Sequence, residues 1–405
     1  MLNYGALDWR LIGAVILLTL IGVVLIMSAQ HGAGTDYERS YYLRQLMWLV
    51  VALVAFAVVI HLPLRLLDAT AYMGYAVVLI LLGLVLFVGS SRSGATRWFS
   101  FGFINFAPSD VAKLTVLLAL SRFFAYSKLP PASKRRLAMS AMLVAVPVAL
   151  ILKQPDLGTS LVFWAILFGL WFWSGLAPGY LILIVSPIVS FAAAFHWLPW
   201  VLYFIVLMVG LFLFRPGLAY SLVAVISNLA FGAVQPFIWN RLADYQKLRI
   251  LTFLDPGRDP RGAGYQIIQS KIAIGSGGVW GNGLFGGSQT RLEFLPERHT
   301  DFVFSVLGEE FGLWGTTLVV LLLGYILCRG IRIAGKCRSK FASNMAFGAV
   351  AVLMFQMFVN IGMTLGFMPV TGLALPFLSY GGTSLVLTWV LIGLIVAADY
   401  HWQEY

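Results

Sequence analysis

Leu11-Ile-Gly-Ala-Val-Ile-Leu-Leu-Thr-Leu-Ile-Gly-Val-Val-Leu-Ile-Met-Ser-Ala29 is a run of nineteen residues without a charged group. A helix rises about 1.5 Å per residue, so such a run crosses most of a hydrocarbon layer about 30 Å thick. No small-residue cleavage site follows it, and it reads as a retained spanning helix rather than a leader. Eleven similar runs follow, over Gln45–Ile60, Ala69–Gly89, Asp110–Tyr126, Leu137–Leu152, Gly158–Ser174, Pro178–Phe195, Pro199–Phe214, Leu218–Phe237, Phe304–Cys328, Asn344–Gly366 and Pro376–Ala397. The fold class that follows is an all-α polytopic membrane protein, a helical bundle of about twelve spans in a single transmembrane domain covering 1–405.

Composition agrees. Of 405 residues, 60% are apolar and 11% charged, against roughly 25% charged in a soluble domain. Disordered, fibrous and disulfide-scaffold classes fall away with the soluble globule. The net charge of +11 is a topology signal and not a nucleic-acid footprint. Thirteen Lys and Arg fall on the N-terminal side of the spans, while the short loops of the other side hold five. By the positive-inside rule both termini are expected in the cytoplasm.

One connection is unlike the others. The segment 238–303 holds 14 of the 43 charged groups and, by the same count, forms a large extracytoplasmic loop. A smaller outer segment, Ser90–Ser109, mixes Arg92 and Arg97 with Trp98, Phe99, Phe101, Phe103 and Phe106, which reads as an amphipathic stretch lying at the interface.

Gly281-Asn-Gly-Leu-Phe-Gly286 matches G-x-G-x-x-G, but the dinucleotide fingerprint needs a βαβ unit, and none is visible here. Tight turns or a close backbone approach explain the glycines better. Cys328 and Cys337 read as free thiols, and the five histidines are too dispersed for a zinc motif. No cofactor or metal site is expected; a divalent-cation requirement stays open.

Charges at membrane depth carry more information, because they are expensive there. Lys113 lies one turn from Asp110. The two form either a packing pair or a point charge for an anionic headgroup, with Asp110 orienting it. Glu309 and Glu310 begin another span, and one of them is expected to pack inward. Leu292-Glu-Phe-Leu-Pro-Glu-Arg-His-Thr-Asp301 concentrates titratable groups at a membrane edge. Thr300 is a candidate N-cap for a helix starting near Asp301, whose dipole would favour the ionised carboxylate. That carboxylate is either a general base or an ordinary capping-region acid.

These residues carry a resemblance. Asp259-Pro-Arg-Gly-Ala-Gly-Tyr-Gln266, Gln269-Ser-Lys-Ile-Ala-Ile-Gly-Ser-Gly-Gly278 and Leu292–Asp301 resemble the SEDS (shape, elongation, division and sporulation) family. So do Ala95-Thr-Arg-Trp98, Pro108-Ser-Asp-Val-Ala-Lys113, Lys153-Gln-Pro-Asp-Leu-Gly-Thr159 and Pro376-Phe-Leu-Ser-Tyr-Gly-Gly-Thr383, in the family's order along the chain. Glu297-Arg298 is similar to the RodA branch rather than the FtsW branch. The resemblance implies a peptidoglycan glycosyltransferase that polymerises lipid II at the outer face of the bacterial cytoplasmic membrane. It implies a role in elongation and rod shape, beside a class B penicillin-binding protein acting as transpeptidase.

Asp301 matches the family's essential loop Asp, with the implied role of deprotonating the acceptor's 4-hydroxyl. That oxygen then displaces undecaprenyl pyrophosphate from the donor sugar with inversion. A pyrophosphate needs cations, and Arg97, Lys113, Lys271 and Arg298 are the candidates; Asp110, Glu297 and His299 complete the expected substrate-binding set. Two departures stand out. The family usually has Glu where this chain has Asp110. It also has ten spans, whereas the stretch between Ser174 and Ile238 has room for three helices in place of one. The classes kept open are a polymerase, a flippase for lipid-linked precursors and a non-catalytic scaffold. No inverted repeat supports a transporter. Membrane lipids are expected neighbours and nucleic acid is not.

Overall fold

The structure, a computed structural model, describes residues 7–30, 40–92, 95–101, 104–242, 247–248, 251–253, 255–259, 262, 264–291 and 294–401. All twelve expected runs are helices. In chain order they are α1 (Trp9–Ala29), α2 (Tyr41–His61), α3 (Leu64–Val88), α4 (Pro108–Tyr126), α5 (Lys134–Lys153) and α6 (Leu157–Trp173). Next come α7 (Pro178–Ala193), α8 (Trp197–Phe214) and α9 (Leu218–Arg241). A thirteen-residue helix α10 (Tyr265–Gly277) then precedes α11 (Val303–Lys336), α12 (Lys340–Thr364) and α13 (Gly382–Tyr400). Among the described residues nine helices are long and apolar enough to cross a membrane; α6 and α7 are apolar but shorter. The remaining one, α4, carries Asp110, Lys113 and Arg122 along its length.

The architecture is built around α12, which packs against α4, α6, α11 and α13. Ala342, Ala346 and Ala349 are fully buried along it. Small side chains at helical spacing let the neighbouring backbones approach closely. The segment between Ser174 and Ile238 forms the three helices α7–α9, packed mainly on one another. They are joined by a polar cluster, since apolar packing has no special advantage over lipid tails. The Asn228 amide donates to Ser186 Oγ (2.8 Å), Tyr203 donates to Asn228 Oδ1 (2.7 Å), and Ser190 donates to the Asn228 carbonyl (2.8 Å).

Ser90–Ser109, expected as an amphipathic stretch, forms in its described part a small antiparallel sheet, β1 (Ser90–Arg92), β2 (Ala95–Phe101) and β3 (Ile104–Phe106). The register pairs Ser90 with Trp98 and Phe99 with Phe106. Phe99 and Phe101 recur every second residue, the period of a strand. The last helix starts at Gly382 rather than Pro376, because Phe377 has a left-handed backbone (φ 69°) that no helix continues through. The turn there closes on itself, with Leu375 N–H donating to Ser379 Oγ (2.8 Å).

The longest helix, α11, has 34 residues and is broken at Gly312 (φ 60°, ψ −155°). Its first part, Val303–Glu310, is wholly buried. A break frees backbone groups that have no water to turn to in a bilayer. Here the stretch 277–287 answers them. Asn282 N–H donates to the Glu309 carbonyl (3.0 Å) and Gly283 N–H to the Glu310 carbonyl (2.9 Å). Leu313 N–H returns a bond to the Gly278 carbonyl (3.0 Å). Gly281 has φ 79°, and a Cβ there would lie 2.1 Å from the Glu310 carbonyl oxygen. The G-x-G-x-x-G match is therefore a backbone-to-backbone contact and not a nucleotide loop. Both acidic residues pack inward: Glu309 accepts from Gln289 N–H (2.7 Å), and Glu310 accepts from the Ser28 hydroxyl of α1. Replacing Gly281 by Val adds strain of about 1–3 kcal/mol and a clash at this contact. The detergent-purified variant is expected to melt at least several degrees below wild type; an unchanged melting temperature would show that the stretch does not hold the break together.

Candidate active site

The turn 294–302 carries Asp301 and is shaped by its own backbone. Glu297 adopts φ 51°, a left-handed conformation that costs a non-glycine residue about 1–2 kcal/mol. It lets a single carbonyl, that of Glu297, accept from the N–H groups of Thr300 (3.2 Å), Asp301 (3.1 Å) and Phe302 (3.3 Å). The Thr300 hydroxyl bonds back to the Glu297 carboxylate (3.0 Å). The expected Thr300 cap is thus corrected: α11 starts at Val303, and Phe302 occupies the cap position without a side-chain bond. Asp301 precedes the first turn, and its dipole is not what sets its charge. Burial pushes its pKa up to about 6, with the Glu297 charge adding to the rise and the Thr300 hydroxyl opposing it.

Three elements hold this turn in place. Arg298 Nε donates to the Ala29 carbonyl at the end of α1 (2.6 Å). The His299 carbonyl accepts from Tyr380 N–H (2.8 Å), and its ring lies 4.7 Å from that of Tyr41 and 5.7 Å from that of Tyr380. The Asp301 carbonyl accepts from Asn360 Nδ2 (3.0 Å), which also donates to the Leu373 carbonyl (2.8 Å). Asn360 is completely buried in α12. It ties Asp301 to the loop that leads from α12 to α13. Gly372 of that loop faces the carboxylate, and a Cβ there would be 3.6 Å from Asp301 Oδ2.

Asp110 and Lys113 form the expected pair, with Nζ 2.8 Å from Oδ1. The shorter carboxylate still reaches, and its other oxygen accepts from Thr383 Oγ1 (2.7 Å). The Ser379–Thr383 turn therefore stands between two groups of residues, touching Asp110 through Thr383 and His299 through Tyr380. Gln45 of α2 clamps the same turn, donating to the Ser379 carbonyl (3.2 Å) and accepting from Gly381 N–H (3.3 Å). Lys271 is exposed on α10, with its ammonium against Gly366 after the end of α12. Arg97 lies in β2, and its side chain is outside the described residues. Glu297, Arg298, His299 and Asp301 are one unit; Asp110 and Lys113 are a second, joined to the first through the turn. Lys271 stands apart, toward the α12–α13 loop.

A cavity of about 290 Å³ lies between α2, α4 and α13, walled by Trp48, Val51, Leu114 and Val390, with Asp110 and Thr383 also lining it. Asn360 and Gln45 were not singled out in the sequence. The signal was present: Gln45 is the lone amide of α2, and Asn360 is one of three amides, with Asn344 and Gln356, in the mostly apolar α12; polar groups at membrane depth by default mark a site or an internal pair. Asn360→Leu removes both of its donated bonds. It is expected to lower the maximal rate by about 10-fold or more, since a misplacement of about 1 Å can cost 100-fold, while KM stays within about threefold. A proportional rise in KM at unchanged maximal rate would show that Asn360 does not position Asp301.

The family model described as "Cell cycle protein", FTSW_RODA_SPOVE, matches residues 8–200 and 200–404. The chain is 35% identical over 387 residues to the peptidoglycan glycosyltransferase MrdB of Escherichia coli K12, covering 95% of this chain and 92% of that one. It is 33% identical over 424 residues to the peptidoglycan glycosyltransferase RodA of Treponema pallidum, covering 97% of each. Among solved structures, it resembles a chain reported under "Structural coordination of polymerization and crosslinking by a peptidoglycan synthase complex", with a TM-score of 0.72 and 34% identity over 98% of this chain and 99% of that one. The rod shape determining protein RodA of Thermus thermophilus gives 0.66 and 28% over the full length of both. The chain belongs to the FtsW/RodA/SpoVE family of multi-pass membrane proteins.

Proposed function

We propose that this protein polymerises lipid II into glycan strands as an inverting peptidoglycan glycosyltransferase, at the outer face of the bacterial cytoplasmic membrane, with both termini in the cytoplasm. The observation that carries the proposal is Asp301: its carboxyl group has a pKa raised to about 6 and faces a glycine, and its backbone carbonyl is held by Asn360. A general base works best when its pKa lies near the working pH. Asp301 takes the proton of the acceptor's 4-hydroxyl as that oxygen bonds to the donor's anomeric carbon. The bond from that carbon to the pyrophosphate breaks, and the electron pair leaves with undecaprenyl pyrophosphate.

The leaving group gains charge and needs cations more than a proton. Lys113 is buried and already oriented by Asp110. The adjoining apolar cavity, with Asp110 and Thr383 lining it, suits a lipid chain whose headgroup comes to rest near Lys113. Orientation rests on the excess of Lys and Arg on the N-terminal side. A class B penicillin-binding protein is the proposed partner, supported by the similarity to a chain of a complex that coordinates polymerization and crosslinking; elongation is the proposed context, supported by the similarity to a rod shape determining protein. No cofactor enters the proposal. A pyrophosphate is nonetheless a ligand for hard divalent cations, so the assay is run with and without magnesium.

In liposomes with the cognate partner and labelled lipid II, wild type is expected to give glycan strands. Asp301→Asn, which keeps shape but cannot accept the proton, is expected to lose activity by at least about 100-fold, the lower end of general-base effects. Strands of normal yield from this variant would remove the base assignment. No strands from folded wild type would favour a flippase or scaffold. Because the active form is the ionised one, the rate should rise with pH through about 6 and fall about tenfold per unit below it. A flat profile between pH 5 and 8 would contradict the role. Lys113→Ala is expected to raise the lipid II concentration needed for half-maximal rate about 10-fold; wild-type kinetics would make the pair structural.

A further inference from the structure

At the membrane face opposite Asp301 and the long loop, the end of α4, the loop 127–133 and the start of α5 line an open cleft of about 350 Å³. Tyr72, Phe123, Tyr126, Lys128, Arg135 and Met139 contribute to its lining. The cations around it differ in what they meet. Arg122 is matched by Asp68: its Nε lies 3.6 Å from Asp68 Oδ1, and a guanidinium N–H donates to the Asp68 carbonyl. It also sits over the rings of Tyr72 (5.3 Å) and Tyr126 (5.8 Å). Lys134 lies over the Tyr220 ring (5.7 Å), and Arg136 is buried over Phe124 (5.1 Å). The carboxylates of the same face are engaged elsewhere, Asp8 with Arg329 and Asp399 beside Lys336. Lys128 and Arg135 are exposed and form no ion pair among the described residues. These two cations flank the same cleft.

We propose that this cleft binds the phosphate of an anionic phospholipid from the adjacent leaflet, with Lys128 and Arg135 meeting the phosphate and Phe123, Leu129 and Met139 meeting the glycerol and upper acyl chains. Basic loop residues near spans ordinarily serve orientation and stay solvated. A cleft with cations at one part and apolar walls at another matches a headgroup joined to its chains, which is how basic pockets between spans hold acidic lipids. Arginine can grip a phosphate with two parallel N–H groups, and lysine adds a mobile point charge. Arg135 and Met139 are four residues apart on α5 and so project from one face, which brings a cation and an apolar wall together. A free phosphate shares the first chemistry but not the second, and the apolar walls favour the lipid.

The test uses the full-length protein in a neutral detergent, incubated with equimolar palmitoyl-oleoyl phosphatidylglycerol and phosphatidylcholine and read by native mass spectrometry. Wild type is expected to retain phosphatidylglycerol at least fivefold over phosphatidylcholine, and Lys128→Gln with Arg135→Gln to abolish that preference. Met139→Trp fills the apolar part while leaving both cations, and is expected to lower retention at least threefold. If the double variant fails a melting and size-exclusion check, each single variant is expected to lower retention at least twofold. Wild-type retention by these variants would overturn the proposal. So would displacement of the lipid by inorganic phosphate at comparable concentration, which would assign the cations to a soluble anion instead.

Discussion

A helix that breaks inside a membrane must have its freed carbonyls and amides met by protein, because the surrounding lipid offers no hydrogen bonds. That requirement governs the middle of this molecule. The break at Gly312 is answered by the stretch 277–287, and the answer is possible only because glycines let two backbones touch. The break in turn sets where Val303–Glu310 lies, and so where the Asp301 turn before it is presented. The same contact carries two buried carboxylates, Glu309 and Glu310, into the bundle, each with a donor brought by another segment.

Around that turn the chain relies on buried amides together with the bond from Arg298 to the Ala29 carbonyl. Gln45 holds two backbone positions of the α12–α13 loop, and Asn360 bridges that loop to the Asp301 turn. Two residues of these loops, Glu297 and Phe377, have left-handed backbones without being glycine. Such conformations persist where the surroundings over-determine them, and here the surroundings are those amides. The Asp301 carboxyl is therefore placed by main chain and not by a salt bridge. That leaves its charge to be set by burial, on the side of the neutral form.

The presence of each helix was legible, since a run such as Leu11–Ala29 has one physical solution in a bilayer, while several ends were not: the last helix starts at Gly382 and α11 runs on to Lys336. The site was legible only in part. Asp110 and Lys113 announced themselves as charges inside an apolar run, and Asp301 stood out in a motif with a family resemblance. What could not be read was the geometry that depends on long-range contacts. Thr300 has the chemistry of a cap but bonds to Glu297, because the turn closes one residue before the helix does. Ser90–Phe106 has enough aromatic residues to lie on a membrane surface. The spacing of Phe99 and Phe101 instead suits strands, which pair only when a neighbour is present. Asn360 carries no local signal of its partner, which is a backbone carbonyl 59 positions away.

The grip on Asp301 also has an order in time. The carboxyl and its turn precede α11, but Asn360, Leu373 and Tyr380 all come later in the chain. A ribosome feeding this protein into the membrane from its N-terminus thus delivers Asp301 before the residues that hold its turn. Until the last hairpin has inserted, the nascent chain holds a carboxylate with no fixed direction. A product cut short between Asp301 and Asn360 carries the carboxyl and lacks every contact from α12 and the α12–α13 loop that holds its turn.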